Sequence, residues 1–273
     1  MEQDELTLKV IAYARNGHTD KFGIPRQSRE ASPILTRIVF EPEYNVAEAL
    51  RGIEGFSHLW IIWGANLTPT LSTREGGWSP TVRPPRLGGN KRMGVFATRS
   101  PFRPNPIGLS SVKLIKVQRV PSGQYQSTKE GRIELVVSGA DVLDGTPIYD
   151  IKPYLSFSDS HPESRNGFAE ETKDYELEVR RNDVRCTKEE MHEEWGVPEE
   201  VAEDILYILR QDPRPGYQND PEREYKMEYG GWRVTFQVRR NDVQCTKDDV
   251  QGAKDEECSS KSQVYIQSIY RVR

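Results

Sequence analysis

Three short segments carry side chains that can bind or act on a ligand. Residues 94–110 read GVFATRSPFRPNPIGLS, with Pro101, Pro104 and Pro106 set around Arg99, Arg103 and Asn105. Proline inside a paired strand removes a ladder hydrogen bond, so residues 100–108 predict a loop. Each proline fixes its own φ and keeps the preceding residue extended, which orders the loop before any ligand arrives. Two arginines on such a loop make either a preorganised fork for a phosphate or carboxylate, or surface partners for Asp and Glu. A second segment, FGIPRQ at residues 22–27, brackets Arg26 and Gln27 with glycine and proline. It reads as an anion and purine-edge contact, or as a plain turn. The third, DVLDGTPIYDIKPYL at residues 141–155, places Asp141, Asp144 and Asp150 around an Asp-Gly turn. Carboxylates there suit ribose hydroxyls, a cationic cofactor or the arginines above, and equally serve their own turn.

Charge is unevenly spread. The 273-residue chain has a net charge of −4, yet residues 71–113 hold eight basic side chains and one acid, Glu75. That window carries +7 and the remainder −11. A basic segment in an acidic protein is the pattern of local polyanion recognition, or of a solvated basic face. Within it, EGGWSPTVRPPRLGGNKRMG joins Trp78 to Arg83, Arg86, Lys91 and Arg92. That aromatic and basic mix suits single-stranded RNA, or a flexible insertion. No glycine-rich dinucleotide fingerprint and no P-loop occur. Cys186, Cys245 and Cys258 are odd in number and, with His192, lack paired zinc spacing, so no metal is expected and the thiols read as reduced. The first thirty residues hold no signal-peptide pattern, and the longest strongly apolar run, residues 59–63, is too short for a bilayer. A cytoplasmic protein without a membrane partner is expected.

Positioning these residues falls to short strands. Alternation predicts strands at residues 6–14, 34–40, 58–63, 93–98 and 132–142, and at 109–117 with a phase slip near Ile115 that a bulge would produce. Asn45, Glu48 and Gly52 predict one short capped helix between them. Several short strands with Gly/Pro turns predict an antiparallel β-barrel. From residue 161 the pattern changes. Pro198, Glu199 and Glu200 open a helix whose apolar face is Val201, Ile205, Leu206, Ile208 and Leu209. A near-repeat, VRRNDVRCTKEE and VRRNDVQCTKDD, predicts two similar strand-plus-turn pieces. The chain therefore reads as mainly β: an N-terminal antiparallel barrel at 1–160 and a small α+β C-terminal domain at 161–273.

In order, FGIPRQ, RGIEGFSHLWIIW, EGGWSPTVRPPRLGGNKRMGVFATRSPFRPNPIGLS and DGTPIYDIKPYL closely resemble the TsaA-like, or TrmO, family, and LRQDPRPGY extends the match. The resemblance implies a β-barrel tRNA methyltransferase that uses S-adenosylmethionine (SAM), a homodimer with the cofactor near the subunit interface. The implied acceptor is the exocyclic amino nitrogen of threonylcarbamoyl-adenosine, just 3′ of the anticodon. By motif, Pro25, Arg26, Gln27, Arg99, Leu109, Leu143, Asp144, Gly145 and Thr146 line the cofactor pocket. Asn66 and Leu67 stand where the family commonly places a His-Gln pair. Asp144 is the expected proton acceptor and Asp150 the second choice. Arg83, Arg86, Lys91, Arg92 and Arg103 are expected to meet tRNA phosphates.

Overall fold

The structure, a computed structural model, describes residues 7–20, 24, 32–65, 78–84, 91–121, 131–172, 176–182, 184–214, 220–241 and 261–272. The first eight strands are β1 (Ala12–Arg15), β2 (Leu35–Phe40), β3 (His58–Gly64), β4 (Thr81–Val82), β5 (Met93–Gly94), β6 (Ile107–Val120), β7 (Arg132–Ser138) and β8 (Pro147–Pro153). Six of them close a barrel in the order β1-β2-β7-β6-β3-β8, and every pairing in it is antiparallel. Alternate residues point inward, as the two-residue period requires. Ala14, Ile38, Leu59, Ile61, Leu135 and Ile148 are fully buried at the centre.

Two bulges re-aim side chains. In β6 the register slips between Leu114 and Lys116, so Ile115 is the extra residue and Lys116 turns outward beside Val136. This is the predicted phase slip. Between β3 and β8 the register skips Tyr149: Trp63 pairs with Ile148, but Ile62 pairs with Asp150. The bulge turns Asp150 out of the barrel, where the regular alternation would have buried it with Ile148.

The structure differs from four local expectations. Ile107 and Gly108, read with residues 100–106 as loop, open β6 and pair with Gly64 and Trp63. β1 starts at Ala12, and residues 7–11 are not strand. Only Met93–Gly94 of the predicted 93–98 strand pairs, and Val95–Ala97 forms a 3-10 turn instead. Asn45 caps no helix. Ala47–Leu50 is a 3-10 turn without a side-chain cap, and the Asn45 amide instead donates to the Ile133 carbonyl at 2.9 Å while accepting its N–H at 3.1 Å. A β-ladder donor and acceptor outcompete the local cap.

The second assembly follows α1 (Ser156–Asp159). It comprises β9 (Glu178–Arg181), β10 (Val184–Arg185), α2 (Lys188–Trp195), α3 (Glu199–Arg210), β11 (Tyr225–Tyr229), β12 (Trp232–Asn241) and β13 (Lys261–Arg271). The strands make one sheet in the order β10-β9-β13-β12-β11. The α3 face predicted from spacing is buried at Ile205, Leu206, Ile208 and Leu209, and Thr187 closes α2 with a capping box to Glu190. The near-repeated segments flank the same strand. Val179 of the first copy and Val238 of the second both pair with Val264, one in a parallel ladder and the other antiparallel. Among the described residues no helix is long and apolar enough to cross a membrane.

The two assemblies share a junction. Ile34, at the foot of β2, is buried in the core of the second sheet. Gly17 lies under the Tyr229 ring, and its carbonyl accepts the Gly230 N–H at 2.9 Å. His18 is completely buried there, edge-on to Tyr229 at 5.1 Å, with no hydrogen bond to either ring nitrogen among the described residues. Burial therefore pushes its pKa down to about 4. The unfolded chain takes up this proton near pH 6.5 and the folded chain near pH 4. The neutral ring's contribution is complete above pH 6.5 and is lost as pH falls to 4, a total of about 3 kcal/mol. Melting temperatures followed from pH 7 to pH 4.5 should fall less steeply in His18→Leu than in the parent; parallel curves would remove His18 from the acid response.

Candidate active site at one end of the barrel

The Asp144-Gly145 turn joins the exit of β7 to β8. Gly145 has φ 76°, a left-handed conformation that glycine adopts without strain. Backbone bonds clip the turn to β1 and the residues after it: Asp144 N–H donates to the His18 carbonyl and Gly145 N–H to the Ala14 carbonyl, both at 2.9 Å. The Asp144 carboxylate is held on one side only. Its Oδ1 accepts the Asn16 N–H at 3.0 Å, and its Oδ2 lies 3.5 Å from Arg15 Nη1. A carboxylate has about four lone-pair sites, so capacity remains toward solvent for a proton or a cation. Leu143 and Thr146 complete the turn, with Thr146 buried and its N–H on the Leu143 carbonyl at 3.2 Å.

Asn16 fastens this corner and escaped the sequence reading. Its amide donates to Val142 O at 3.0 Å and Thr36 Oγ1 at 3.2 Å, and its Oδ1 accepts the His18 N–H at 2.9 Å. The available signal was Asn-Gly directly after a strand, a dipeptide that marks turns.

A second set of contacts brings β6 to the same end of the barrel. The Trp63 indole donates to Ser110 Oγ at 2.9 Å, and Ser110 donates in turn to Asp141, three residues before Asp144. Gly108 lets Trp63 lie on the backbone, since a Cβ there would fall 2.2 Å from the indole. Leu109, between Gly108 and Ser110, points outward and is exposed, and Arg99 Nη2 donates to its carbonyl at 2.9 Å. Arg99 and Leu109 are thus in contact, and the Ser110–Asp141 bond ties them to the segment bearing Leu143, Asp144, Gly145 and Thr146. Asp150 stands apart. It occupies the cross-strand row of Ile62 and Leu109, pairs with Lys152 at 3.3 Å, and lies about 10 Å from Leu109 by strand spacing. Pro25, Arg26, Gln27, Asn66, Leu67 and Arg86 lie outside the described residues.

The basic segment divides. β4 and β5 pair Val82 with Met93, which sets Arg83 and Arg92 at the same end of a short ribbon, with Lys91 beside them. All three are exposed, and Arg92 also donates to Thr81 Oγ1 at 3.1 Å. Arg103 braces the loop. Its Nη1 donates to the Val95 and Thr98 carbonyls at 3.1 and 2.8 Å, and its guanidinium lies over Phe96 at 5.4 Å. A phosphate contact by Arg103 therefore falls to Nε and Nη2.

These residues suit SAM chemically. Arg99 matches a carboxylate, exposed Leu109 an adenine face, and the open side of Asp144 a sulfonium or ribose hydroxyl.

The tRNA-methyltransferase O N-terminal domain matches residues 13–160, and the TrmO C-terminal domain matches residues 174–248. The chain belongs to the TrmO family. A tRNA (adenine(37)-N6)-methyltransferase of Escherichia coli (strain K12) is 40% identical over 229 residues, covering 84% of this chain and 90% of that protein. A protein of Pseudomonas aeruginosa, provisionally named the S-adenosylmethionine-dependent methyltransferase RcsF, is 36% identical over 238 residues, 87% of this chain and 94% of its own. A crystal structure of TrmO from P. aeruginosa superposes with a TM-score of 0.64 at 27% identity, covering 99% of this chain and 100% of that one.

Proposed function

We propose that this protein transfers a methyl group from SAM to the exocyclic nitrogen of threonylcarbamoyl-adenosine at position 37 of tRNA. The observation that carries the assignment to a place is the convergence, at one barrel end, of the Arg99–Leu109 contact and a half-open Asp144 turn in a TrmO chain. Bound SAM supplies an electrophilic methyl carbon on sulfur. Arg99 would hold the cofactor carboxylate, Leu109 and Leu143 would flank its apolar parts, and Asp144 would take the proton that the acceptor nitrogen gives up when it is methylated. Asp150 is the second choice for that proton. Alignment of donor and acceptor supplies most of the rate, because an in-line displacement needs little other help. Arg83, Lys91 and Arg92, with Arg86 and the remaining Arg103 nitrogens, receive tRNA phosphates. Pro25, Arg26, Gln27, Asn66 and Leu67 complete the cofactor pocket. The working unit is a cytoplasmic homodimer of chains, each divided into a barrel domain at 1–160 and a smaller domain at 161–273.

Labelled SAM and tRNA from cells lacking the modification test the activity, with digestion to nucleosides and mass spectrometry. Methylated threonylcarbamoyl-adenosine is the expected product. SAM binding without a methylated nucleoside would replace this reading with a regulator or a different acceptor. Arg99→Ala should weaken SAM binding about 10- to 100-fold in calorimetry, the equivalent of one lost charged hydrogen bond. Unchanged affinity would take Arg99 out of the pocket.

A further inference from the structure

The outer wall of the barrel carries a second basic feature, apart from the 83–103 segment. Arg15 and Arg37 face each other directly on β1 and β2. Arg37 pairs onward with Val136, and Val136 with Lys116. One cross-strand row therefore reads Arg15, Arg37, Val136, Lys116 across four strands, a span of roughly 14 Å. Lys113 stands in the neighbouring row, opposite Ser138. Like charges directly opposite on paired strands are unfavourable, and here Asp144 and Glu134 offset the two facing arginines.

The protein holds these guanidiniums in place from beneath. Glu134 is wholly buried on the outward side of β7. It accepts from Arg37 Nη1 at 3.4 Å, Gln118 Nε2 at 3.1 Å and Arg132 Nε at 2.9 Å. A buried carboxylate shared between arginines is a poor source of stability compared with apolar packing. It does fix the two side chains before a ligand comes. Arg15 is fixed as well, lying 5.7 Å over the Tyr13 ring and 3.5 Å from Asp144. The Arg15 and Arg37 side chains remain 45% and 43% exposed, and both lysines are exposed. Beside the row, a groove of about 250 Å³ is lined by Tyr13, Arg15, Val39, Asn45 and Arg132, with one carboxylate, Glu41, in the lining.

We propose that this wall is a phosphate track for a single RNA strand of the substrate tRNA, leading past Arg15 to the Asp144 turn. The row ends where the acceptor must enter, and its spacing presents cations to successive phosphates of one strand. Of five cations on this face, Arg37 and Arg132 share one buried carboxylate and Arg15 has Asp144, while Lys113 and Lys116 have no ion pair among the described residues. The inference rests on the tRNA methyltransferase reading above.

The test compares binding of unmodified tRNA to the full chain across a salt series. Lys113→Gln/Lys116→Gln should weaken binding several-fold at low salt and lower the slope of log K against log salt by about 1.4, which is about 0.7 for each single-strand phosphate contact. Arg37→Gln, made together with Glu134→Gln so that no buried carboxylate is stranded, should lower it by a further 0.7 or so. SAM affinity and melting temperature of the lysine variant serve as the fold control and should not move. Parent-like tRNA affinity and slope in both variants would overturn the track while leaving the methyltransferase reading intact. A parent protein that binds no tRNA at all would overturn both.

Discussion

Asp144→Asn should lower turnover about 100-fold or more at saturating SAM, because removal of a positioned general base typically costs two to four powers of ten. Asparagine keeps an oxygen for the Asn16 N–H, now 3.0 Å from Asp144 Oδ1, so the turn should survive. It cannot accept the proton that the acceptor nitrogen gives up. The measurement is single-turnover methylation of tRNA at saturating SAM, with the melting temperature as control. Asp150→Asn provides the comparison. Its carboxylate is aimed outward by the Tyr149 bulge and already pairs with Lys152 at 3.3 Å, so its loss should cost far less. A reversal of the two results would move the proton to Asp150, and parent-like turnover in both would leave water or the tRNA itself as the acceptor.

Gly17→Ala should be the most damaging single methyl group in the junction. A Cβ there would sit 2.6–3.0 Å from three atoms of the Tyr229 ring. The ring has little freedom to withdraw, since its hydroxyl donates to Asp204 at 2.6 Å and its face meets His18. Overpacking of this kind costs about 1–3 kcal/mol, or a fall in Tm of roughly 3–10 °C for a chain of this size. Methylation should fall too, because Gly17 lies between Asn16 and His18, which hold the Asp144 turn by its N–H and its carboxylate. Tyr229→Leu in the same chain removes the ring and should recover part of both losses. A Gly17→Ala protein that melts and turns over like the parent would mean that Tyr229 does not bear on this corner in solution.

The sequence was informative where one local rule acts alone. Alternation located β2, β3 and β7, the phase slip located the Ile115 bulge, and proline spacing kept residues 100–106 out of the sheet while wrongly adding to the loop Ile107 and Gly108, which open β6. It misled where a distant partner decides. Asn45 has every mark of a helix cap, yet Ile133, far along the chain, offers a matched donor and acceptor. Residues 95–97 have strand-like side chains but, among the described residues, no neighbouring strand to pair with. Arg103 looked like a free cation because its carbonyl partners, Val95 and Thr98, are backbone atoms with no signature in side-chain type. The site was legible for the same reasons. Asp144-Gly145 announces its own turn, and Arg99 is presented by a stiff loop. The Asn16–His18 clasp was hidden, since its meaning lies in Tyr229, more than two hundred residues away.

The twin flanking of β13 has a consequence for the order in which the protein is made. Residues 261–271 form the middle strand of the second sheet, with Val179 and Val238 both waiting for Val264. The last described strand to leave the ribosome is thus the one its neighbours assemble on, whereas every barrel strand has emerged by residue 153. Such long sequence separations make closure slow. A nascent chain should therefore carry a finished barrel beside an unfinished sheet, with Tyr229 not yet seated on Gly17. Its Asp144 corner gains full support only after the rest of the chain has been synthesised, so a stalled or nicked protein should keep the barrel and lose the chemistry.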